Sequence, residues 1–156
     1  MSRQVAGQEG AGSVVVYQLG PAESATLESI HFTVETDATA GVHQIRLLLE
    51  IPTVGTIARL DDLNEAGPSQ TNFYTYALGL AGSACTLPSG LAVTDALPDT
   101  QLPPGATITV EAITGAGVEI AGDQISAVLL QLSGAAVQAA PPEDLPLFLL
   151  PGSAAA

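Results

Sequence analysis

Apolar and polar residues alternate along most of the chain with a period of two, which is typical of β-strands that are buried on one side. Residues 26–35 give the clearest case, since Ile30, Phe32 and Val34 fall on one side and polar residues on the other. Turn residues separate the segments that share this pattern. The predicted strands are 12–19, 26–35, 42–51, 56–60, 71–80, 91–97, 107–114 and 124–132.

Helical periodicity is almost absent, because glycine or proline interrupts nearly every window in which apolar residues could recur every 3.6 positions. About eight short strands with turns between them indicate an all-β fold, either an antiparallel β-sandwich or a jelly roll. We expect this domain to span residues 12–132, preceded by an N-terminal extension of residues 1–11.

The last part of the chain, residues 133–156, reads as an extended Pro- and Leu-rich C-terminal arm. Its four prolines, Pro141, Pro142, Pro146 and Pro151, oppose a helix or a central strand. The clustered apolar side chains of the arm are too hydrophobic to remain exposed to water. The arm therefore either folds back on its own sandwich or docks on a neighbouring subunit. The predicted partner-interface residues are Leu145, Leu147, Phe148, Leu149 and Leu150.

Charge narrows the range of partners. Sixteen carboxylates against three basic residues give a net charge of −13, and none of the basic residues is a lysine. Such a surface repels DNA and RNA, so no nucleic-acid partner is expected. No apolar run is long enough to span a membrane, and residues 1–10 do not resemble a signal peptide. We expect a soluble protein made in the cytoplasm. Residues 79–156 hold seven carboxylates and no basic residue, so a partner contact is expected in that half.

The residues suited to catalysis are few. His31 falls on the outward face of its predicted strand and His43 on the inward face, and each is interpreted as an ordinary strand histidine. Cys85 has no histidine near it in sequence and is interpreted as a small buried side chain. No motif for a nucleophile, a paired-carboxylate site or a zinc site is present. The sequence predicts no catalytic, cofactor or metal residues and no enzymatic activity.

Two weaker signals are compatible with the binding of a ligand. Residues 61–70 are interpreted as a polar loop, and the oxygen ligands between Asp61 and Glu65 either bind calcium or are simply solvated. Tyr74 and Tyr76 share one face of a predicted strand, two residues apart. Such a pair either contacts a ligand, by stacking on a sugar or anchoring an interface, or packs within the sheet.

Three segments together show a resemblance. They are residues 21–51 (PAESATLESIHFTVETDATAGVHQIRLLLEI), 102–114 (LPPGATITVEAIT) and 121–132 (AGDQISAVLLQL). Their order resembles that in small jelly-roll or β-sandwich virion proteins of tailed bacteriophages, of the capsid-decoration and minor-structural type. The likeness covers roughly residues 12–132, and its motifs are loose. It implies a structural role in a virion, often as a homotrimer, and supplies no catalytic residues.

The expected function is therefore that of a non-enzymatic capsid decoration (accessory) protein, located in the virion and bound to the shell by apolar and terminal-arm contacts. Its expected partners are the major capsid protein or other virion proteins, together with copies of itself in a trimer. The alternative is a carbohydrate- or receptor-binding β-sandwich of a phage tail or fibre, which would use Tyr74 and Tyr76 and, in one version, calcium.

Overall fold

Two β-sheets make up the computed structural model, which describes residues 2–134. No helix occurs among these residues, so the predicted all-β fold is confirmed. None of the described segments is a helix long and apolar enough to cross a membrane. The strands are β1 (Ser2–Ala6), β2 (Gly10–Ala11), β3 (Ser13–Gln18), β4 (Ala25–Glu35), β5 (His43–Ile51), β6 (Gly55–Ala66), β7 (Thr71–Ala77), β8 (Ser83–Leu87), β9 (Gly90–Ala96), β10 (Gln101–Leu102), β11 (Thr107–Thr114) and β12 (Gln124–Ser133).

The connectivity is that of a jelly roll. The larger sheet has the order β1-β12-β4-β7-β9-β8, and the smaller sheet has the order β3-β11-β5-β6. Eight strands pair in a nested antiparallel pattern: β1 with β12, β3 with β11, β4 with β7, and β5 with β6. The first strand of this set thus pairs with the last, the second with the seventh, and so on inward. This folding of one long hairpin into two facing sheets defines the jelly roll.

The remaining strands extend the larger sheet. β8 and β9 form a hairpin whose second strand lies parallel to β7, so that β8 becomes the outer edge of the sheet. β2 and β10 are two-residue strands that pair with β12 and β4. The larger sheet therefore presents a face six strands wide.

The core lies between the two sheets and follows from the alternation seen in the sequence. Ile30, Phe32 and Val34 of β4 point inward and face Ile45, Leu47 and Leu49 of β5. Burial of each such side chain stabilises the fold by roughly 1.5–3 kcal/mol.

Some boundaries differ from the prediction. Residues 1–11, expected to be an extension, provide β1 and β2, and β1 is the first strand of the jelly roll. β6 does not stop at residue 60 but continues to Ala66, through residues that were interpreted as a loop. Of the predicted C-terminal arm, 133–156, only Ser133 and Gly134 fall within the described residues, and Ser133 ends β12.

Candidate functional site

Three connections meet at one end of the sandwich, where they join the two sheets. They are the β4–β5 loop, the β6–β7 loop and the β11–β12 loop. Thr36, just after β4, donates its hydroxyl to the Gly67 carbonyl at 2.7 Å, and its backbone N–H donates to the Gln70 carbonyl at 2.8 Å. The next residue, Asp37, turns toward the β11–β12 loop. This end of the molecule carries the densest cluster of buried titratable groups that we find among residues 2–134.

His43 and Asp123 form the centre of that cluster. Their side chains are 2% and 1% exposed, and His43 Nδ1 lies 2.8 Å from Asp123 Oδ2. The other ring nitrogen, Nε2, lies 2.8 Å from the Thr39 carbonyl oxygen. The second oxygen of Asp123 accepts the backbone N–H of Asp37 at 2.8 Å. We call these three side chains, Asp37, His43 and Asp123, the loop clasp.

The surroundings of His43 favour its charged form. A carbonyl oxygen and a carboxylate both accept hydrogen bonds, so only the imidazolium can donate to both partners. Burial by itself lowers the pKa of His43, but the hydrogen bonds to Asp123 and Thr39 and the nearby carboxylate charge outweigh it and raise the pKa. The backbone N–H of Thr39 donates to Asp37 at 2.9 Å and holds the pKa of Asp37 below its usual value.

The loop clasp also offers ligand atoms of the kind that bind metals. One atom from each side chain lies within 4.8 Å of the others. Zn²⁺ uses such ligands, but a histidine must lose a proton to coordinate it. Because both His43 nitrogens already donate hydrogen bonds, the arrangement fits a protonated ion pair that ties loops together better than a metal centre. Its chemistry is structural: it fixes the β4–β5 loop against the start of β12.

The tyrosines singled out in the sequence lie inside the molecule. Tyr74 and Tyr76 are each 1% exposed, and Phe32 stacks on Tyr74 with ring centroids 5.3 Å apart. The Tyr76 hydroxyl donates to the buried carboxylate of Asp62 on the facing sheet. Burial, together with that carboxylate, raises the pKa of Tyr76 well above its usual value. The sheet-packing alternative is therefore correct, and the interpretation of this pair as a surface ligand contact is wrong for this structure.

The acidic segment between Asp61 and Glu65 forms part of β6 rather than a loop. Asp61 faces outward, where it accepts hydrogen bonds from Arg46 and from Arg59, each with an N–O distance of 3.0 Å. The Arg59 guanidinium is the main cause that lowers the pKa of Asp61. Asp62 faces inward to Tyr76. Since strand alternation sends these two carboxylates to opposite sides, they do not form the calcium site that was weighed for this segment.

The two outer faces of the sandwich differ in charge. The outer face of the smaller sheet carries the ion pairs of Arg46 with Asp61 and Glu111, and of Arg59 with Asp61. On the larger sheet, one row of paired outward residues crosses all six strands and contains no aspartate, glutamate, lysine or arginine. That row is Ala6, Leu129, His31, Thr75, Thr94 and Ser83.

The two neighbouring rows of the larger sheet continue this composition. One consists of Ser126, Thr33, Phe73, Ala92 and Cys85, and the other of Gln4, Gln131, Ser29, Ala77 and Ala96. Carboxylates border these rows: Glu35 lies opposite Thr71 in the next row, Glu28 accepts the Ser2 hydroxyl from a bulge of β4, and Glu9 accepts the backbone N–H of Ala127. We call the outer surface formed by these three rows the neutral face.

Of the histidines and the cysteine, only the cysteine is misplaced by the sequence interpretation. His31 lies on the neutral face, and its Nδ1 is 2.8 Å from the Thr75 hydroxyl. His43 lies inward, as predicted. Cys85 is exposed instead of buried, because β8 is an edge strand with solvent around it. The predicted interface residues Leu145, Leu147, Phe148, Leu149 and Leu150 lie outside the described residues.

The loop clasp was missed in the sequence, although its parts were visible. Thr36-Asp37 follows one predicted strand and Gly122-Asp123 precedes another, and both pairs are typical of turns. An aspartate at such a position usually hydrogen-bonds its own turn, whereas Asp123 binds a residue of a different loop. Gly122 gives the better signal, since a Cβ added there would collide with the Asp37 carboxylate. The glycine allows two loops that are distant in sequence to approach closely.

Comparisons with known proteins add nothing to these geometric observations. No family model, no curated protein and no solved structure matches the chain. The resemblance to phage virion proteins therefore remains a hypothesis.

Proposed function

We propose that the chain is a non-enzymatic structural protein of a tailed-phage virion, of the capsid-decoration type. In this proposal the protein is located in the virion and binds the major capsid protein or another virion protein. The resemblance of the three sequence segments suggested this role. The jelly-roll connectivity is compatible with it, because this fold is common in viral capsid proteins, although it also occurs in lectins and cupins.

The observation that carries the proposal is the neutral face. In a chain with a net charge of −13, three adjacent rows of the larger sheet consist of paired residues without a carboxylate or an arginine, and most of them are small. The carboxylates of Glu9, Glu28 and Glu35 lie beside these rows, and the arginine ion pairs Arg46–Asp61 and Arg59–Asp61 lie on the opposite sheet. Serine, threonine, alanine and glutamine on a broad sheet can approach another protein closely without leaving a charge desolvated. Leu129, 40% exposed, and the partly buried Phe73 add apolar contacts.

Glycan binding through Tyr74 and Tyr76 is not proposed, because both rings are enclosed between the sheets. A protein that attaches to a shell needs a large contact surface that fits the symmetry of the assembly more than it needs a reactive group. We therefore expect a homo-oligomer on the shell, with a trimer as the form that the resemblance implies.

Co-sedimentation with empty capsids of the phage whose genome encodes the chain tests this function. Ala92→Glu places a carboxylate in the middle of the neutral face and should raise the apparent Kd at least about tenfold, since each tenfold corresponds to roughly 1.4 kcal/mol. Val15→Glu is the matched control, because Val15 is 48% exposed on the outer face of the smaller sheet. Absence of co-sedimentation by the unaltered protein would contradict the proposal.

A second variant separates the neutral face from the predicted arm. Deletion of residues 141–156 removes the five interface residues Leu145, Leu147, Phe148, Leu149 and Leu150 while leaving every described strand in place. Weakened attachment or loss of the oligomer in this variant supports docking of the arm on a neighbour. Normal attachment and assembly would rule out that part of the proposal and leave the neutral face as the binding surface.

A further inference from the structure

Four strands terminate the two main sheet orders, and they differ in how their free edges are protected. β6 carries Arg59, Asp61, Asp62 and Glu65, and β1 carries Arg3. The edge of β3 is partly covered, since the backbone N–H of Gln8 donates to the Val16 carbonyl at 2.8 Å. Charges and coverage of this kind prevent sheets from joining edge to edge. β8 has neither.

β8 is the outer strand of the larger sheet, and its residues are exposed except for Leu87. It lies within the stretch 78–94, LGLAGSACTLPSGLAVT, which contains no charged residue. A neutral stretch of this length in so acidic a chain coincides with an open strand edge. Two copies with a net charge of −13 each repel one another over most of their surface. The electrostatic repulsion is smallest where these neutral stretches meet.

The direction of the free hydrogen-bonding groups along β8 follows from its neighbours. The backbone N–H of Leu91 donates to Asn72 Oδ1 on β7 at 2.8 Å, so Gly90, Ala92 and Thr94 direct their groups toward β8. Their partners across the hairpin are Leu87, Cys85 and Ser83. The two-residue turn between Leu87 and Gly90 is consistent with this alternation. Ala84 and Thr86 therefore direct their N–H and C=O groups to the open edge.

We propose that β8 pairs antiparallel with β8 of a second copy of this chain, about a twofold axis at Cys85. In this register Ala84 of each copy exchanges hydrogen bonds with Thr86 of the other, and all five residues of each strand are paired. Cys85 then faces Cys85 of the second copy in a non-hydrogen-bonded pair, with Cα atoms about 4.5 Å apart. The two larger sheets become one continuous sheet of twelve main strands.

A twofold contact suits a second copy better than an unrelated strand. An isologous pair satisfies both copies with one surface and closes, so it leaves no further edge open at β8. The axis also places the small residues Ala84, Cys85 and Thr86 at the centre, where two backbones must approach closely. The β8 contact uses the backbone edge of the strand, whereas shell binding uses the outward side chains of the neutral face, to which Ser83 and Cys85 of β8 also belong. Ala84 and Thr86 lie outside that face, so variants at these two residues test the β8 contact separately.

Sedimentation velocity of the full chain under reducing conditions measures the mass of the assembly and so tests the pairing. Two double variants, which place charges at residues that face each other in the proposed register, also test that register. Ala84→Glu with Thr86→Glu sets like charges opposite each other across the axis and should break the β8 contact, which halves the mass of the assembly in solution. Ala84→Glu with Thr86→Lys sets a carboxylate opposite an ammonium group in the proposed register and should retain the dimer. Cross-strand pairs of opposite charge stabilise a sheet and like pairs destabilise it.

Oxidation of the thiol provides an independent readout. Diamide accepts two electrons and two protons as two Cys85 thiols become one disulfide, and the proposed register predicts rapid, nearly complete dimer formation on a non-reducing gel. The matched control is Cys85→Ser with Val54→Cys, which moves the thiol to a turn position that is 70% exposed. That variant should form disulfide dimers at least about tenfold more slowly, because its thiols meet only by collision.

Three results would overturn the proposal: a monomeric unaltered protein at the highest soluble concentration, an oligomer whose mass is unchanged by the two glutamates, or equal oxidation rates at the two thiol positions. A trimer unaffected by the two glutamates would place self-association elsewhere without bearing on shell binding. Loss of co-sedimentation with capsids, conversely, would leave the β8 contact unaffected.

Discussion

Two carboxylates are buried inside the sandwich, and their partners determine what each does. Asp123 lies against His43, which is drawn into its charged form, whereas Asp62 accepts the hydroxyl of Tyr76. A buried ion pair adds little by itself compared with apolar packing, but loss of one partner leaves an unpaired charge. The most sensitive single residues should therefore be the partners of these carboxylates.

His43→Gln should lower the free energy of unfolding by about 3–5 kcal/mol at pH 6, because the buried Asp123 carboxylate loses its cation. His31→Gln is the control, since His31 is only partly buried and has a hydroxyl partner. Urea denaturation monitored by circular dichroism measures both. A loss for His43→Gln no larger than for His31→Gln would show that the loop clasp does not stabilise the fold.

The same pair gives a pH dependence of a defined sign. The pKa of His43 is raised in the folded state, so its contribution is fully present below the unfolded value of about 6.5 and is lost as pH rises through the folded pKa. The unaltered protein should therefore lose part of its stability as pH rises above about 6.5 and through the raised folded pKa. His43→Gln should show a flatter profile over that range, and two parallel profiles would refute the assignment.

Tyr76→Phe should cost about 1.5–3 kcal/mol, since the Asp62 carboxylate, 3% exposed, loses a hydrogen bond while the ring remains in the core. Tyr74→Phe changes the neighbouring ring without touching that contact and should cost less. Adding Asp62→Asn to Tyr76→Phe should recover part of the loss, because no buried charge then remains. Thermal denaturation measures the set, and additive losses would argue against the pair.

Among the elements, the strands were easier to predict than their edges. β11 was predicted with its full bounds, Thr107–Thr114, because apolar and polar residues alternate without interruption. β6 was cut short at residue 60, since the polar run after it resembles a loop until Asp61 is seen to pair with Arg46 of β5. Such cross-strand partners are invisible in a single sequence. For the same reason Cys85 was placed inside, although β8 is an edge.

The loop clasp depends on a close approach between loops, and Gly122 permits it. Gly122→Ala should destabilise the protein by about 1–3 kcal/mol, because the added Cβ collides with the Asp37 carboxylate and forces the loops apart. Gly115→Ala in the same loop is the matched control, since its Cβ would meet Val42 at an ordinary 3.8 Å.

Amide hydrogen exchange locates the effect of this substitution. Gly122→Ala should speed exchange at Asp37, whose N–H donates to Asp123, more than at the centre of β4. Equal destabilisation by the two glycine variants would contradict the close approach.

At the scale of the whole molecule, the sequence indicated a sandwich or jelly roll but could not decide between the two. The decision rests on which strands are neighbours, and in particular on β1, which was assigned to an extension yet pairs with β12 at the far end of the described chain. Val5 packs against the core from this strand. Alternation reveals which face of a strand is buried, whereas pairing between residues more than a hundred positions apart leaves no local signal.

The net charge of the whole molecule determines how its stability responds to salt. Its three arginines are each paired with a carboxylate, leaving a large excess of negative charge at neutral pH. This excess repels itself more strongly in the compact state than in the unfolded chain. Salt should therefore stabilise the protein, because screening shortens the range of repulsion from about 30 Å at 0.01 M to about 10 Å at 0.1 M.

Raising NaCl from 0.01 to 0.3 M at pH 7 should increase the Tm by a few degrees, equivalent to about 1 kcal/mol for a chain of this size. Weakening of the exposed Arg46 and Arg59 ion pairs opposes this gain, but such pairs contribute only about 0–1 kcal/mol. The control is the same titration near pH 4.1, the isoelectric point, where the repulsion is small and the effect should nearly vanish. A Tm that falls with salt at pH 7 would mean that ion pairs outweigh the repulsion.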